Sequence, residues 1–220
     1  MDLLEAIRTR HSVRNFTGKR IDSETVAYMS KAIEECNQES GLNIQLCLNE
    51  PKAFNSMIAR YGKFENCKNY IVLAGRKGQD EKIGYQGEKL VLKAQQLGLN
   101  SCWVGLTYNK SKIPVTLNEG EKIRLVIALG YGKTQGTPHK SKDISMLCVT
   151  DGQMPDWFKR GMEASMLAPT AVNQQKFLIV NKNGTVFAKP LKGFYSKVDI
   201  GIVKYHFEIG AGTENFKWGD

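Results

Sequence analysis

The sequence lacks the features that would place it among secreted, metal-binding or membrane proteins. Its five cysteines are odd in number and never form a Cys-x-x-Cys pair, so we expect buried thiols instead of disulfides or a zinc site. Only three histidines are present, too scattered to predict a metal centre. No run of 18 apolar residues occurs, and Asp2 lies where a signal peptide would be basic. We therefore expect a cytoplasmic protein without a membrane partner.

Common motifs for nucleotide binding and hydrolysis are also missing. The 21 glycines never form a G-x-G-x-x-G fingerprint or a P-loop. Neither a serine nucleophile elbow nor an H-E-x-x-H helix occurs. These absences exclude the hydrolase classes that depend on such motifs.

Basic residues outnumber acidic ones by 31 to 22, which gives a net charge of +9 and favours an anionic partner. That partner could be nucleic acid, a membrane surface or a phosphorylated small molecule. The lysines are spread along the chain and form no defined basic stripe, so nucleic acid is not expected. A phosphate-bearing cofactor is the more economical interpretation.

Hydrophobic periodicity predicts a mixture of helices and strands within 220 residues, enough for one domain or two half-size lobes. Leu42–Leu48 alternates strictly and indicates a strand, whereas helical spacing runs from Glu81 to Leu97, before Gly98. Other helices are predicted at 2–8, from 22 or 23, and at 51–60, 155–167 and 197–210. Other strands are predicted at 70–74, 101–106, 123–129, 176–180 and 185–188. The loop 133–143 is the best candidate for a boundary between lobes.

The segment Arg10-His11-Ser12-Val13-Arg14 brings two guanidinium groups and a hydroxyl within five residues. If the segment is extended, side chains 10, 12 and 14 project to one side, where they could bind a single phosphate. A solvated basic turn explains the same residues, and spacing alone favours that interpretation.

Two later segments could also line a site. In Leu99–Leu106, Gly105 permits close approach of a planar ligand. An ordinary helix-to-strand connection with a packed tryptophan explains the same residues, and these residues alone favour it. In Ala168–Gln175, the amides of Asn173 and Gln175 could pair with a flavin's pyrimidine edge, or simply close a turn.

Taken in order, these segments resemble the nitroreductase family of FMN-dependent oxidoreductases. Ile7–Phe16 is similar to the family's R-R-S-V-R-x-F signature, with His11 in place of a more usual residue. Gly98–Gly105 is similar to G-L-G-S-C-W-I-G, and Ala168–Gln175 to A-P-S-x-x-N-x-Q-P. Leu125–Gly132 looks like the segment that precedes a basic phosphate-contacting stretch.

The resemblance implies an α+β fold in which a mixed, largely antiparallel sheet is flanked by helices. The Ala-Pro element stands near residue 170, whereas ordinary members carry it after the first long helix, where this chain has Glu39–Gln45. The order is that of a branch in which one chain carries two related, pseudo-symmetric halves. We expect residues 1–145 to hold the phosphate site and 146–220 to supply the turn that a partner subunit ordinarily contributes. Such a chain would bind one FMN, as a monomer with pseudo-dimer architecture or as a homodimer.

By the same resemblance, FMN takes a hydride from NAD(P)H and passes electrons to a nitroaromatic, a quinone or a similar small molecule. No general acid and no metal are expected. The implied cofactor-binding residues are Arg10, His11, Ser12, Arg14, Trp103, Val104, Gly105, Leu106, Lys140, Lys142, Ala168, Pro169, Thr170 and Asn173. The alternatives are a flavin-binding carrier or sensor without turnover and a flavin-fragmenting or dehalogenating relative.

Overall fold

The strands form two separate four-stranded sheets in the computed structural model, which describes residues 1–219. Within that range the chain divides into two compact units. The central unit comprises Thr9–Gln79 and Lys89–Pro138, and the terminal unit comprises Met1–Arg8, Asp80–Glu88 and the chain from His139 onward. Each sheet belongs to one unit.

The helices of residues 1–219 are α1 (Leu3–Thr9), α2 (Ser23–Ser40), α3 (Met57–Tyr61), α4 (Asp80–Gln96), α5 (Asp156–Ser165) and α6 (Ser196–Ala211). The strands are β1 (Asn43–Cys47), β2 (Asn69–Gly75), β3 (Asn100–Val104), β4 (Lys122–Gly130), β5 (Cys148–Thr150), β6 (Phe177–Lys182), β7 (Thr185–Pro190) and β8 (Lys217–Trp218). The predicted α+β class with a largely antiparallel sheet flanked by helices is confirmed. The pseudo-symmetric halves 1–145 and 146–220 stay a prediction.

In the central unit, the sheet has the order β1-β2-β4-β3 and every neighbouring pair is antiparallel. All seven residues of β2 are buried, because this strand lies inside the sheet and is covered on both faces. Tyr70 of β2 packs against Phe54. The ring of Phe54 in turn contacts Phe64 edge-on, with the two ring centroids 4.9 Å apart. These rings belong to the hydrophobic core of the unit.

Local hydrogen bonds set the ends of α2. The Asp22 carboxylate accepts a bond from the Thr25 N–H at 2.8 Å and so caps the helix. At the other end Gly41 has a left-handed φ of 68° and donates its N–H to Asn37. The Asn37 amide then bonds both the N–H and the carbonyl of Ile44, which connects the end of α2 to β1.

The predicted helix over 51–60 is shorter than expected. Residues 52–56 form turns and bends, and α3 begins only after Ser56, whose hydroxyl accepts a bond from the Ala59 N–H at 3.3 Å. Serine is a strong helix cap, so the helix starts where that cap occurs. The turns follow Pro51 directly, and helical periodicity alone did not predict them.

In the terminal unit, the sheet has the order β5-β6-β7-β8. The Asn183-Gly184 turn joins β6 and β7 as the predicted antiparallel hairpin, with Lys182 opposite Thr185. The outer strands β5 and β8 pair in parallel with this hairpin. They were not predicted, because strands of three and two residues carry no periodicity.

Glycines let helices approach closely in the terminal unit. A Cβ on Gly84 of α4 would overlap the Val198 carbonyl, and a Cβ on Gly201 of α6 would overlap the Glu81 carbonyl. Gly161 of α5 similarly leaves room for the ring of Phe207. The backbones of α4 and α6 therefore touch where Gly84 and Gly201 lie, and the ring of Phe207 packs on α5 at Gly161.

A fully buried polar pair links three helices of this unit. The Nε2 atom of His206 is hydrogen-bonded to Glu88 Oε1 at a distance of 2.9 Å. Its Nδ1 atom lies 3.0 Å from the Ala164 carbonyl oxygen. Both side chains are 0% exposed. Because a carbonyl only accepts, Nδ1 carries hydrogen, and one further proton is shared between Nε2 and the carboxyl. The pair is neutral overall, whichever partner holds that proton.

Replacing Glu88 with glutamine should cost little stability, because the amide can donate to Nε2 of a neutral imidazole. His206→Leu removes the hydrogen bonds of the imidazole to the Glu88 carboxyl and the Ala164 carbonyl, and it should lower the free energy of unfolding by about 1–3 kcal/mol for each bond lost. Urea unfolding of the two variants and the wild type measures both effects. Equal losses for Glu88→Gln and His206→Leu would contradict the neutral-pair interpretation.

Candidate functional site

The Arg10–Arg14 segment follows α1 and lies alongside β3 in the central unit. Ser12 forms a parallel bridge with Ser101, and the Val13 N–H donates to the Ser101 carbonyl at 2.9 Å. Val13 is buried, whereas the side chains of Ser12 and Arg14 are exposed. The segment is therefore extended and held against β3 by main-chain pairing.

The side chains of Arg10, Ser12 and Arg14 all act on the thiol of Cys102 in β3. Burial raises the pKa of the Cys102 thiol, while the Arg14 guanidinium, hydrogen bonding by Ser12 and the Arg10 guanidinium act in the opposite direction. Arg10 is only 3% exposed. Residues 10, 12 and 14 thus share one neighbourhood, which combines two positive charges and a hydroxyl.

A glycine-rich loop supports the segment from the end of β4. Asn100 accepts a hydrogen bond from the Gly132 N–H at 2.9 Å and donates to Gln135 at 2.9 Å. Gly136 has a φ of 75°, and a Cβ there would lie 2.7 Å from the Cβ of His11. The loop packs so closely against His11 that no side chain fits at position 136, which glycine occupies.

The strand predicted over 101–106 ends at Val104. Trp103 is half-buried and Val104 buried, while Gly105 and Leu106 follow the strand, with Leu106 62% exposed. The end of β3, the strand that carries Cys102, is thus followed by a small residue and an exposed apolar one.

In the terminal unit, the Ala168–Gln175 segment forms a tight turn with unusual backbone geometry. Val172, Asn173 and Gln175 have positive φ angles of 47°, 53° and 45°. A left-handed conformation strains a β-branched residue, yet the Val172 side chain is 89% exposed and contributes little packing. Strain of this kind is typical of segments that present a fixed surface.

Several side chains of the same unit fix this turn. Lys142 Nζ donates to the carbonyls of Gln174 and Gln175 at 2.8 and 3.1 Å. The Asn173 amide donates to the Lys140 carbonyl at 3.0 Å and accepts from the Gln175 amide at 2.9 Å. Lys142 and Asn173 are therefore occupied in shaping the turn, while the Lys140 side chain is exposed.

Asp199 also holds the turn, and sequence reasoning missed it. Its carboxylate accepts the Ala171 N–H at 3.0 Å and the Gln174 amide at 2.8 Å. Burial raises the pKa of Asp199 to about 6, although these two hydrogen bonds lower it in part. An acid within the apolar run Val198–Val203 is the signal that could have revealed it.

Comparison with known protein families now adds to this geometry. The sequence profile of a family described as "Putative TM nitroreductase" matches residues 2–211. The chain belongs to this nitroreductase family. The predicted resemblance of the chain to the nitroreductase family is therefore confirmed.

Solved structures of other nitroreductase-like proteins share the fold. A "putative nitroreductase" from Thermotoga maritima is 21% identical, with 96% of this chain and 83% of that chain covered and a TM-score of 0.66. A "putative nitroreductase in complex with FMN" from Desulfovibrio desulfuricans is 18% identical over 70% of this chain and 98% of that one, with a TM-score of 0.54. A "putative NADH dehydrogenase/NAD(P)H nitroreductase" from Bacteroides thetaiotaomicron is 20% identical over 66% and 95%, with a TM-score of 0.51.

At these identities the likenesses show the nitroreductase fold alone. Comparison with curated protein sequences gave no match. Across residues 1–219, no helix has the length and apolar character needed to cross a bilayer.

The raised pKa of Asp199 predicts that the stability of this protein depends on pH. Between about pH 4 and 6 the folded protein keeps a proton on Asp199 that the unfolded chain releases, so the stability contribution is complete below about pH 4 and lost as pH rises through 6. Since one pKa unit corresponds to about 1.4 kcal/mol, the free energy of unfolding should fall by about 2–3 kcal/mol across this range.

Asp199→Asn should remove this slope, whereas Asp151→Asn, which changes an exposed acid, should keep it. Chemical unfolding at several pH values between 4 and 7 provides the measurement. A slope that persists in Asp199→Asn would show that another group titrates.

Proposed function

We propose that this chain is an FMN-dependent oxidoreductase that takes a hydride from NAD(P)H and passes electrons to a nitroaromatic, a quinone or a similar small acceptor. The observation that carries the proposal is the convergence of Arg10, Ser12 and Arg14 beside β3. Membership of the nitroreductase family and the named FMN complex of a relative with the same fold support the choice of cofactor.

The chemistry of this donor set fits a phosphate monoester. Two guanidinium groups supply charge and paired N–H donors, and the Ser12 hydroxyl supplies one more donor to a phosphate oxygen. Arg10 is buried, so its charge acts in a less polar environment than that of exposed Arg14. The backbone pairing of Val13 with Ser101 holds these groups in place before a ligand arrives.

Other residues of the chain have proposed roles around the flavin ring. FMN, when bound, supplies the hydride and electron transfer chemistry. We assign the end of β3, from Trp103 to Leu106, to the ring edge that includes N5. We assign Ala168, Pro169 and Thr170 to a second contact, and the strained geometry of their turn supports a role in presenting a fixed surface.

Three polar residues of the terminal unit, Lys140, Lys142 and Asn173, divide into two groups by proposed role. Lys140 has an exposed side chain and is proposed as a phosphate contact. Lys142 and Asn173 are proposed to act on the flavin indirectly, through the shape of the turn that they hold. No general acid is assigned, since flavin chemistry of this kind can proceed without one.

The cofactor and the donor are tested together by absorbance. Protein reconstituted with FMN should bind one flavin per chain and lose its visible flavin absorbance when NADH or NADPH is added without oxygen. A nitroaromatic or quinone should then restore the absorbance. Bleaching with neither nucleotide would favour a carrier or sensor, and two flavins per chain would contradict the fused-halves interpretation.

Arg14→Ala should weaken FMN binding by about tenfold or more, because a charge-assisted hydrogen bond contributes about 1.5–3 kcal/mol. Arg14 is exposed, so the variant should keep the stability of the wild type. Quenching of flavin fluorescence on titration measures the affinity. Arg60→Ala changes an exposed arginine of α3 and is the matched control. Equal FMN affinity in Arg14→Ala and the control would refute the phosphate assignment.

A further inference from the structure

Three basic side chains of the central unit form a cluster. Lys110 belongs to the short turn Lys110–Lys112, and Lys122 and Arg124 belong to β4. Lys110 and Lys122 are exposed, and Arg124 is half-buried. Desolvation lowers the pKa of Lys110, and the positive charges of Arg124 and Lys122 lower it further. Both charges of β4 are therefore close enough to act on the Lys110 ammonium group.

The turn that carries Lys110 is attached to the core of the unit on both sides. Tyr108 before the turn and Ile113 after it are buried in the hydrophobic core. Asn109 donates its N–H to the Ala53 carbonyl at 2.7 Å, and its side chain caps the turn. Lys110 therefore extends from a fixed main-chain position, although its side chain is exposed.

A β-bulge determines the position of Arg124. In the pairing of β4 with β2, Ile123 lies opposite Ala74 and Leu125 lies opposite Leu73, so Arg124 is the extra residue between them. The extra residue of a bulge lies outside the regular ladder, and the bulge redirects side chains. Bulges of this kind are common next to active sites.

The cluster lies at the same end of the sheet as the residues assigned to flavin N5. The pairing of β3 with β4 ends where Val104 lies opposite Val126. Beyond that pair, the chain continues to Leu106 on one side and to Arg124 on the other, each two residues farther along. A dinucleotide whose nicotinamide ring reaches N5 has phosphates that extend away from that ring, so the cluster is placed to meet them.

The acid next to the cluster in sequence, Glu121, is bound by other groups. Its carboxylate accepts the Asn43 amide at 2.7 Å and the Asn118 N–H at 2.8 Å. The charges that act on Lys110 are those of Arg124 and Lys122, and both are positive. Repulsion among the three cations costs free energy, which an anion bound beside them would offset.

We propose that Lys110, Lys122 and Arg124 bind the 2′-phosphate of the nicotinamide donor, so that this chain uses NADPH in preference to NADH. The proposal rests on the proposed function, which places flavin N5 at the end of β3. A phosphate monoester carries about two negative charges at neutral pH, and it therefore matches a cluster of cations better than a singly charged pyrophosphate group does. Arg124 supplies paired N–H donors to the phosphate oxygens, and the lysines supply point charges.

Calorimetric titration of the full chain with adenosine 2′,5′-bisphosphate and with adenosine 5′-monophosphate tests the phosphate site directly. The bisphosphate should bind saturably and about tenfold or more tightly, because its 2′-phosphate gains charge-assisted hydrogen bonds. Lys110→Gln combined with Arg124→Gln should abolish this difference. Arg20→Gln combined with Lys31→Gln removes the same charge from exposed positions of the same unit and should keep the difference.

Anaerobic reduction of the FMN-loaded protein gives a second measurement. The kcat/KM for NADPH should exceed that for NADH in the wild type, and the ratio of the two should fall by about tenfold in the double variant of Lys110 and Arg124. An unchanged ratio in that variant would overturn the proposal. Equal binding of the two adenosine nucleotides to the wild type would also overturn it, and so would an equal loss in the control variant, which would indicate attraction by net charge alone.

If Arg124→Gln fails to fold, Lys110→Gln combined with Lys122→Gln alters two exposed side chains and decides the same question. The titration with adenosine nucleotides requires neither FMN nor turnover. A chain that prefers the bisphosphate but takes up no FMN would contradict the flavin assignment and keep the phosphate site. A chain that binds FMN but does not distinguish the two nucleotides would contradict the present proposal alone.

Discussion

The pairing of Val13 with Ser101 determines where Arg10 and Arg14 lie in the central unit. The N–H of Val13 donates to the Ser101 carbonyl, and Ser12 forms a bridge with the same residue. An N-terminal segment with two arginines would otherwise be a mobile basic turn. Once it is attached to β3, Arg10 and Arg14 occupy fixed positions beside Cys102, and the loop at Gly136 packs against His11. The flavin proposal depends on this short stretch of main-chain pairing.

Much of the fold follows from local sequence patterns. The alternation in Leu42–Leu48 gives β1, Asp22 begins α2 as a cap, and Asn183-Gly184 closes the predicted hairpin. The patterns did not reveal β5 and β8, because strands of three and two residues exist only through their parallel pairing with the hairpin. Contacts of that kind are distant in sequence and leave no local periodicity.

The candidate site was predictable only in part. Motif order identified the segments that carry Arg10, Ser12 and Arg14, but spacing alone could not tell a phosphate site from a solvated turn. The sequence did not predict that Lys142 and Asn173 hold the turn together, because their hydrogen bonds to Gln174, Lys140 and Gln175 form only in the folded chain. Asp199 was missed for the same reason, although an acid among apolar helix residues is a usable signal.

The buried pair of Glu88 and His206 has a consequence for how the terminal unit can be observed. Its shared proton and the Nδ1 hydrogen are both sealed from solvent, since each side chain is 0% exposed. Water can reach these hydrogens only when the helices around them separate. The rate at which these hydrogens exchange with deuterium therefore measures how often α6 opens. A single imidazole resonance can follow that exchange in the interior of the unit.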